Sequence, residues 1–325
     1  MSQKKIYCFG IINLDILVYP VNNWPDIGGL VQADHVIFVP GGTALNTALA
    51  INKIGINPVE LLGCIGEDDS GKRILDYLSE QGLGVSGITR TSLADSGVCI
   101  VTIRSSSERS FIYSAGSNEK VDSFSYYLEQ IEKGSTVHLG GVLDMAILAG
   151  DTLLEILKAL KNKGCDISMD LAWDWRNYGW EALEKSFRFA DLITLNEKEA
   201  INLTGMKDLK VSADKIYHAG CPLVIIKLGS NGAYLRNQDF EGVIPGFSVN
   251  AIDSTGAGDA FSGALLAALS RMESPLEAVI FANAAGACCV QKIGPIEGIR
   301  TYTETLKFIE DQKPSSNLED VLNGK

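Results

Sequence analysis

Short apolar runs alternate with amphipathic stretches along most of the chain. Short apolar runs predict strands, and stretches with an apolar residue every three or four positions predict helices. The predicted strands are Lys5–Ile12, Val59–Ile65, Thr136–Leu139, Asp166–Asp170, Leu192–Leu195 and Leu223–Leu228. The predicted helices are Thr43–Ile54, Gly71–Gln81, Met145–Asn162, Glu197–Thr204 and Ser212–Ala219. Because strands that alternate with helices form a largely parallel sheet with helices on both faces, we expect an α/β core.

Two parts of the chain break this alternation. Val31–Phe38 is a short extended piece, and Gly97–Arg104 and Arg109–Ala115 are extended runs joined by a polar turn. The second pair is typical of a β-hairpin. Because predicted helices do not flank these pieces, we expect a small separate sheet near the strand ends, a position from which a sheet can act as a lid. The alternative is a surface hairpin on the main sheet.

Length and composition fit one domain of this kind. The chain has 325 residues, of which 46% are hydrophobic and 21% are charged, as in ordinary globular proteins. We expect the main domain to cover residues 1–310, with the lid formed by about 13–40 and 97–115. Residues 311–325 are polar and predict a weakly ordered C-terminal tail.

Charge and cysteine content narrow the classes of function. The formal net charge is −12, from 28 basic and 40 acidic residues, which disfavours nucleic acid as a partner. The sequence contains no signal-peptide pattern and no apolar stretch of about 18 residues, so we expect a cytoplasmic protein that does not contact a membrane. The seven cysteines form no CxxC pair and are interpreted as reduced core residues.

The candidate chemistry lies in one loop and the helix after it. Gly256, Ala257 and Gly258 are small and precede Asp259 and an apolar helix over Ala260–Leu269. Small side chains let a phosphate approach the free N–H groups of a helix start, which predicts an anion hole. A carboxylate beside that hole is suited to accept the proton of an attacking hydroxyl. The alternative is that Asp259 only stabilises the helix start, and these residues alone leave both readings open.

The run Asp253-Ser254-Thr255-Gly256-Ala257-Gly258-Asp259, followed by Ala260-Phe261, resembles the signature of the ribokinase-like (PfkB) carbohydrate kinases. The resemblance implies a three-layer sandwich with a mostly parallel central sheet and a small β-sheet lid. It also implies transfer of the γ-phosphate of ATP to a sugar hydroxyl, with Asp259 as the base and Gly256–Gly258 as the anion hole. The alternative is a non-catalytic sugar or nucleotide sensor on the same fold.

Four other segments extend the resemblance over nearly the whole chain. They are Gly63–Gly71, Asn196–Glu199, Lys227–Gly232 and Phe281–Ala285. The resemblance assigns nucleotide binding to Asn196, Lys227, Gly229, Ser230, Gly232 and Asn283. It assigns Mg²⁺, through water, to Glu199, and a candidate potassium site to Asp253 and Thr255. Taken alone, Asn196 to Glu199 also predict a helix N-cap with its glutamate three residues later.

Sugar recognition is expected near the N-terminus. The resemblance assigns sugar hydroxyl contacts to Asn13, Asp15, Gly41, Gly42 and Asn46. The pair Gly140-Gly141 stands where members of this family often have an acidic or polar residue. We expect extra room there or a lost hydroxyl contact, which leaves the identity of the sugar open.

Aromatic, basic and apolar residues elsewhere suggest further contacts. Trp173 or Trp175 is expected to stack on a sugar or to lie buried in the core, and Arg176 to meet an anion. Arg104 and Arg109 flank the hairpin turn and are expected to be solvated, or else to reach an anionic substituent. The lid has an apolar face, from which we expect a homodimer formed through the lid. The residues assigned to that face are Val98, Ile100, Val101, Phe111 and Ile112.

Overall fold

The computed structural model describes residues 4–106, 108–272 and 274–312. Its strands are β1 Ile6–Gly10, β2 Asn13–Tyr19, β3 His35–Gly41, β4 Val59–Gly66, β5 Ile88–Thr91, β6 Gly97–Ile103, β7 Arg109–Ser114, β8 Thr136–Gly140, β9 Asp166–Asp170, β10 Leu192–Asn196, β11 Val224–Lys227, β12 Ala233–Arg236 and β13 Glu241–Ile244. Its α-helices are α1 Thr43–Ile54, α2 Asp69–Glu80, α3 Ser125–Gln130, α4 Gly150–Asn162, α5 Glu197–Thr204, α6 Leu209–His218, α7 Ala257–Leu269, α8 Pro275–Cys289 and α9 Tyr302–Gln312.

The large sheet has nine strands in the order β13-β12-β11-β10-β9-β8-β1-β4-β5. Neighbouring strands from β11 to β5 pair in parallel, and β12 and β13 add an antiparallel edge. The prediction of a largely parallel sheet is therefore confirmed. The order reverses at β1, whose neighbours β4 and β8 lie on opposite sides. In such sheets a ligand crevice lies beyond the carboxyl ends of the strands at this point.

Helices cover both faces of the large sheet. Alternate residues of β1 point to opposite faces, so Ile6 and Cys8 join one core cluster while Tyr7 and Phe9 join another. The first cluster packs against α1, α2, α7 and α8, and the second packs against α3, α4, α5 and α6. These three layers match the expected sandwich. In the described ranges, no helix has the length and hydrophobicity needed to cross a membrane.

Several element boundaries differ from the predictions. Helix α7 begins at Ala257 instead of Ala260, because Gly256 adopts a left-handed conformation (φ 72°) that caps it. Helix α4 begins at Gly150, after a separate 3₁₀ turn over Ala146–Leu148, where one continuous helix was expected. Helix α9 was not predicted, and it includes the first two residues of the expected tail. The rest of that tail, 313–325, lies outside the described residues.

The small sheet has the order β3-β2-β6-β7. Strands β2 and β6 pair in parallel, and the outer pairs are antiparallel. The prediction of a separate sheet is confirmed, but its first strand, β2, follows β1 after two residues and was missed as a strand. The register places Asp15, Cys99 and Tyr113 in one row across the sheet.

The two faces of the small sheet have different surroundings. The inner face, which carries Asp15, Val101 and Phe111, borders the cavity described below. The outer face carries Ile100 and Ile112. The expectation that all five apolar residues share one face is therefore wrong for Val101 and Phe111, because neighbouring residues of a strand point to opposite faces.

The junction between the two sheets is held by Asn118. Its Oδ1 accepts a hydrogen bond from the Ile12 N–H at 3.1 Å. Its Nδ2 donates to the Ile12 carbonyl at 3.1 Å and to Asn13 Oδ1 at 3.0 Å. Asn118 is 1% exposed, so this contact joins β1 to β2 out of reach of solvent.

Candidate active site

Polar side chains gather where the parallel strands end. Asp170 and Lys227 are the last residues of β9 and β11, and Lys227 Nζ lies 2.8 Å from Asp170 Oδ2. The Ser262 hydroxyl of α7 donates to the same oxygen at 2.7 Å. Burial opposes the charge of Lys227, but the carboxylates of Asp170 and Glu199 outweigh it and raise its pKa. A persistent positive charge therefore lies at the strand ends.

A cavity of about 1660 Å³ opens beyond these strand ends and is bordered by both sheets. Pockets for a single small molecule are about 300–1,000 Å³, so this one has room for two ligands. The expected site residues that line it are Asn13, Asp15, Gly42, Asn46, Asn196, Glu199, Lys227, Gly229, Ser230, Gly232, Thr255, Gly256, Ala257, Gly258, Asp259 and Asn283. Gly41 and Asp253 are outside this lining.

The start of α7 has the geometry of an anion site. A Cβ on Gly256 would lie 2.4 Å from the Pro295 carbonyl oxygen, so only glycine fits there. The helix begins at Ala257, and the N–H groups of its first turn have no partner within the helix. A Cβ on Gly258 would lie 3.6 Å from Lys227 Nζ, which places the ammonium group beside the loop. Backbone donors and a cation therefore converge on one place.

Asp259 lies in the first turn of α7 and faces the cavity. Its Oδ2 accepts a hydrogen bond from Asn46 Nδ2 at 2.9 Å. Burial raises the pKa of Asp259 to about 6, although the bond from Asn46 and the charge of Lys227 oppose this rise. Such a carboxyl is ionised at neutral pH and is more basic than a solvated aspartate, as a general base requires.

The expected sugar contacts lie on β2 and beside it. Asp15 is 7% exposed, and a Cβ on Gly41 would lie 2.1 Å from Asp15 Oδ2, so the glycine makes space for this carboxyl. Burial and the charge of Asp259 raise the pKa of Asp15 to about 7. Asn13 is oriented by its hydrogen bond with Asn118. Asp15 and Asp259 therefore approach the same part of the cavity from different layers of the fold.

The expected nucleotide residues also have local structural roles. Asn196 Oδ1 accepts from the Glu199 N–H at 2.9 Å, and Glu199 Oε2 accepts from the Asn196 N–H at 2.8 Å, which forms a capping box. Asn283 Nδ2 donates to the carbonyls of Ile244 and Pro245, each at 3.2 Å. The N-cap interpretation is thus realised, and nucleotide binding by these residues stays a prediction.

Glu199 is the residue expected to hold magnesium through water. Burial raises its pKa to about 7. Within the described part of the chain, no three His, Cys, Asp or Glu side chains are grouped to hold a metal ion. Mg²⁺ in phosphate-transfer sites usually takes one or two carboxylates together with waters and phosphate oxygens, so a single glutamate acting through water fits it.

Asp253 and Thr255 organise the loop before α7. Asp253 Oδ1 accepts from the Thr255 N–H at 2.9 Å and from its hydroxyl at 2.7 Å. Asp253 Oδ2 accepts from the Gly294 N–H at 3.0 Å. Both carboxylate oxygens are therefore engaged in holding the loop, and a cation role for these two side chains stays a prediction.

The glycine pair at the end of β8, Gly140-Gly141, does not leave extra room. A Cβ on Gly140 would lie 2.9 Å from the Ala44 nitrogen, and one on Gly141 would lie 2.7 Å from Ile11 Cγ1. Neighbouring residues fill this space, contrary to the expectation of extra room at the glycine pair. Asp144, three residues further on, lines the cavity instead. The sequence signal that could have identified Asp144 was its position soon after the carboxyl end of a strand.

The sequence left open whether Arg109 is solvated or reaches an anionic substituent. In the structure, Arg109 lies in the cavity wall. It shares the inner face of β7 with Phe111 and Tyr113, whereas Arg104 is exposed. Burial lowers the pKa of Arg109, and nearby carboxylates, Asp259 among them, oppose this effect. The sequence signal for the direction of the Arg109 side chain was strand alternation, which places Arg109 and Tyr113 on the same face.

The two tryptophans after β9 are not core residues. Trp173 and Trp175 are 51% and 46% exposed, and both line the cavity. Arg176 forms an ion pair with Glu119, and its guanidinium lies 4.1 Å from the centre of the Trp175 ring. The charge of Arg176 is therefore already paired with a carboxylate of the protein, and its contact with a ligand anion stays a prediction.

Comparison with known proteins agrees with this geometry. Residues 3–301 match the family described as pfkB family carbohydrate kinase. Fructokinase-1 of Zea mays is 28% identical over 95% of this chain and 98% of its own length, and ribokinase of Haemophilus influenzae is 30% identical over 87% and 97%. The ribokinase structure from Thermotoga maritima has a TM-score of 0.81 at 27% identity and covers 94% of this chain and 99% of its own. That of Arabidopsis thaliana ribokinase, complexed with ribose and ATP, has a TM-score of 0.78 at 25% identity, covering 97% and 100%.

Proposed function

This chain belongs to the pfkB family of carbohydrate kinases, and we propose that Asp259 is the base with which it transfers the γ-phosphate of ATP to a sugar hydroxyl. Asp259 carries this proposal because its carboxyl faces the same cavity as Asp15 and belongs to the helix turn that forms the anion site. A proton acceptor, a sugar-binding carboxyl and donors for phosphate thus meet in one place.

We assign the sugar to the part of the cavity beside Asp15 and Asn46. Asn46 Oδ1 and Thr43 Oγ1 are buried there without a hydrogen-bond partner in the described ranges. Most buried polar atoms have partners, so sugar hydroxyls would supply the missing ones. Thr43 was not expected from the sequence. The other contacts assigned to the sugar are Asn13, Gly41 and Gly42.

In the proposed reaction, Asp259 accepts the proton of the attacking hydroxyl. A bond forms between the hydroxyl oxygen and the γ-phosphorus, the bond to the β,γ-bridging oxygen breaks, and ADP leaves. The N–H groups of Gly256–Gly258 and the ammonium of Lys227 stabilise the charge on the transferred group. The nucleotide contacts are assigned to Asn196, Lys227, Gly229, Ser230, Gly232 and Asn283.

ATP as the donor is supported by the A. thaliana ribokinase structure, which holds ribose and ATP. We assign Mg²⁺ to Glu199 through water. Bound there, Mg²⁺ supplies charge neutralisation on the phosphates. A potassium site near Asp253 and Thr255 is a further prediction, which backbone carbonyls would have to complete because the Asp253 carboxylate is engaged.

The substrate is tested by measuring ADP release over a panel of sugars, sugar acids, nucleosides and sugar phosphates. Fructose and ribose belong in this panel because the similar proteins are named for them. We expect ADP release in proportion to phosphorylated product with at least one member. ATP binding without ADP release for any compound would indicate a non-catalytic sensor instead.

We further propose that the small sheet is a lid and that two copies pair through its outer face. Val36, Phe38 and Ile112 on that face are 55%, 50% and 50% exposed. The connection between β2 and β3 extends this apolar surface with Trp24 and Leu30, which are 57% and 88% exposed. Patches of this kind mark association sites, and a twofold pair would bury the same surface on both copies.

Replacing Ile112 with Asp should convert such a dimer to a monomer, because pairing would bury a charge within the apolar face. Light scattering coupled to size exclusion measures the mass directly. The control is Val211→Asp on α6, where the side chain is 46% exposed and distant from the small sheet. A wild-type protein that is monomeric at tens of micromolar would overturn the dimer proposal.

A further inference from the structure

Beside Asp15, one end of the cavity carries polar groups that the proposed transfer does not use. Strand pairing places Asp15, Cys99 and Tyr113 side by side on the inner face of the small sheet. Burial raises the pKa of the Cys99 thiol, and the carboxylates of Asp15 and Asp144 raise it further. Asp144 therefore lies close to this row, although it comes from the turn after β8. Asp259, whose charge also raises the pKa of Asp15, belongs to α7 and not to this row.

Tyr113 and Asp144 offer a complementary pair of polar groups. The Tyr113 hydroxyl is buried and has no hydrogen-bond partner within the part of the chain that the structure describes. Both residues line the cavity. A phenol donates and accepts, and a carboxylate accepts from two oxygens, so together they match the hydroxyl groups of a sugar.

The balance of charge at this end is negative. The charge of Arg176 acts on Asp144 and is already paired with Glu119. Arg109, in the cavity wall, lies near Asp253 and Asp259 instead. Adding the charges of Asp144 (−1), Glu119 (−1) and Arg176 (+1) gives −1, beside the further carboxyl of Asp15. A phosphate or carboxylate placed here would meet like charge in a partly buried site, where repulsion is weakly screened.

We propose that Asp144 and Tyr113 form a second sugar subsite, which binds the hydroxyls of uncharged sugars and rejects sugars that carry a phosphate or carboxylate at that end. This inference rests on the proposed function, because it concerns the substrate class of the same cavity. It makes Asp144 and Tyr113 determinants of specificity and leaves the proton transfer to Asp259.

The test compares two pairs of compounds, fructose with fructose 6-phosphate and ribose with ribose 5-phosphate. We expect the wild type to prefer the uncharged member of a pair by at least about tenfold in kcat/KM. Asp144→Asn should raise KM for the uncharged sugar about tenfold and narrow that preference, since a charged hydrogen-bond partner is lost. Tyr113→Phe should raise the same KM about threefold. For both variants, kcat and the KM for ATP should stay close to wild type.

Asp151→Asn is the matched control, because Asp151 is an exposed acid in the first turn of α4. Calorimetric titration of each sugar without ATP checks the same ranking independently of turnover. Equal use of both members of a pair, or unchanged sugar KM and affinity in both variants, would overturn the subsite. Turnover of no sugar, combined with normal sugar binding, would overturn the proposed function while leaving the subsite supported.

Discussion

Asp259→Asn is expected to lower kcat by about 10²–10⁴-fold, the usual contribution of a positioned general base. The amide cannot accept the hydroxyl proton, yet it occupies the same volume. ATP affinity should therefore change little, because the N–H groups of the α7 turn and Lys227 remain in place. Steady-state ADP release gives kcat, and calorimetry gives the dissociation constant for ATP.

The alternative role, in which Asp259 only stabilises the start of α7, predicts a different outcome. Such an acid contributes about 0.3–1 kcal/mol to helix stability and nothing to turnover. Glu277→Gln, in the exposed first turn of α8, is the matched control for that contribution. Wild-type kcat in Asp259→Asn would rule out the proposed mechanism.

The pH profile gives a second readout of the same variant. Because burial raises the pKa of Asp259 to about 6 and that of Asp15 to about 7, protonation of either group should weaken the reaction as pH falls. Since kcat/KM reports groups of the free enzyme, log kcat/KM for the sugar should fall with a slope of at least about 2 below both pKa values, to which the raised pKa values of Asp144 and Glu199 also contribute. In Asp259→Asn the slope should be smaller by about 1 than in the wild type, because Asp259 no longer titrates.

Asp170→Asn is expected to destabilise the fold by about 3–5 kcal/mol, the usual cost of leaving one partner of a buried ion pair uncompensated. Asp170 and Lys227 have side chains only 7% and 15% exposed, so solvent cannot replace the lost carboxylate. The Ser262 hydroxyl loses its charged acceptor as well. Urea unfolding followed by circular dichroism measures the change in the free energy of unfolding.

The double variant Asp170→Asn, Lys227→Met tests whether the unpaired charge of Lys227 causes the loss of stability. Removing both charges should recover most of the lost stability, because no unpaired ion remains in the interior. Turnover should stay low in the double variant, since the ammonium beside the α7 turn is absent. A loss below about 1 kcal/mol in Asp170→Asn would show that the pair is not electrostatically important.

Local patterns were sufficient for the core of the fold and for the centre of the site. The limits of α1, β9 and α5 agree with the sequence predictions, because apolar spacing and end signals coincide there. The position of Asp259 at a helix start followed from the small residues before it. The four-residue strands β12 and β13 were missed, because such short pieces carry little periodicity.

Contacts between distant segments were harder to foresee. Asp170 and Lys227 are 57 residues apart, and only the pairing of β9, β10 and β11 brings them together. Asp144 depends likewise on how the turn after β8 folds against Asp170. The misplacement of Val101 and Phe111 has another cause, because strand alternation already required them to face away from Ile100 and Ile112.

The Asn118 contact at the junction of β1 and β2 has a thermodynamic consequence. Asn13 and Asp15 belong to a strand of the small sheet, so any displacement of that sheet from the core also moves these two residues. In the proposed mode of sugar binding, sugar affinity and the position of the small sheet form one linked equilibrium, in which the observed affinity is the intrinsic affinity scaled by the fraction of molecules in the closed arrangement. A substitution that loosens Asn118 would weaken sugar binding without touching the sugar.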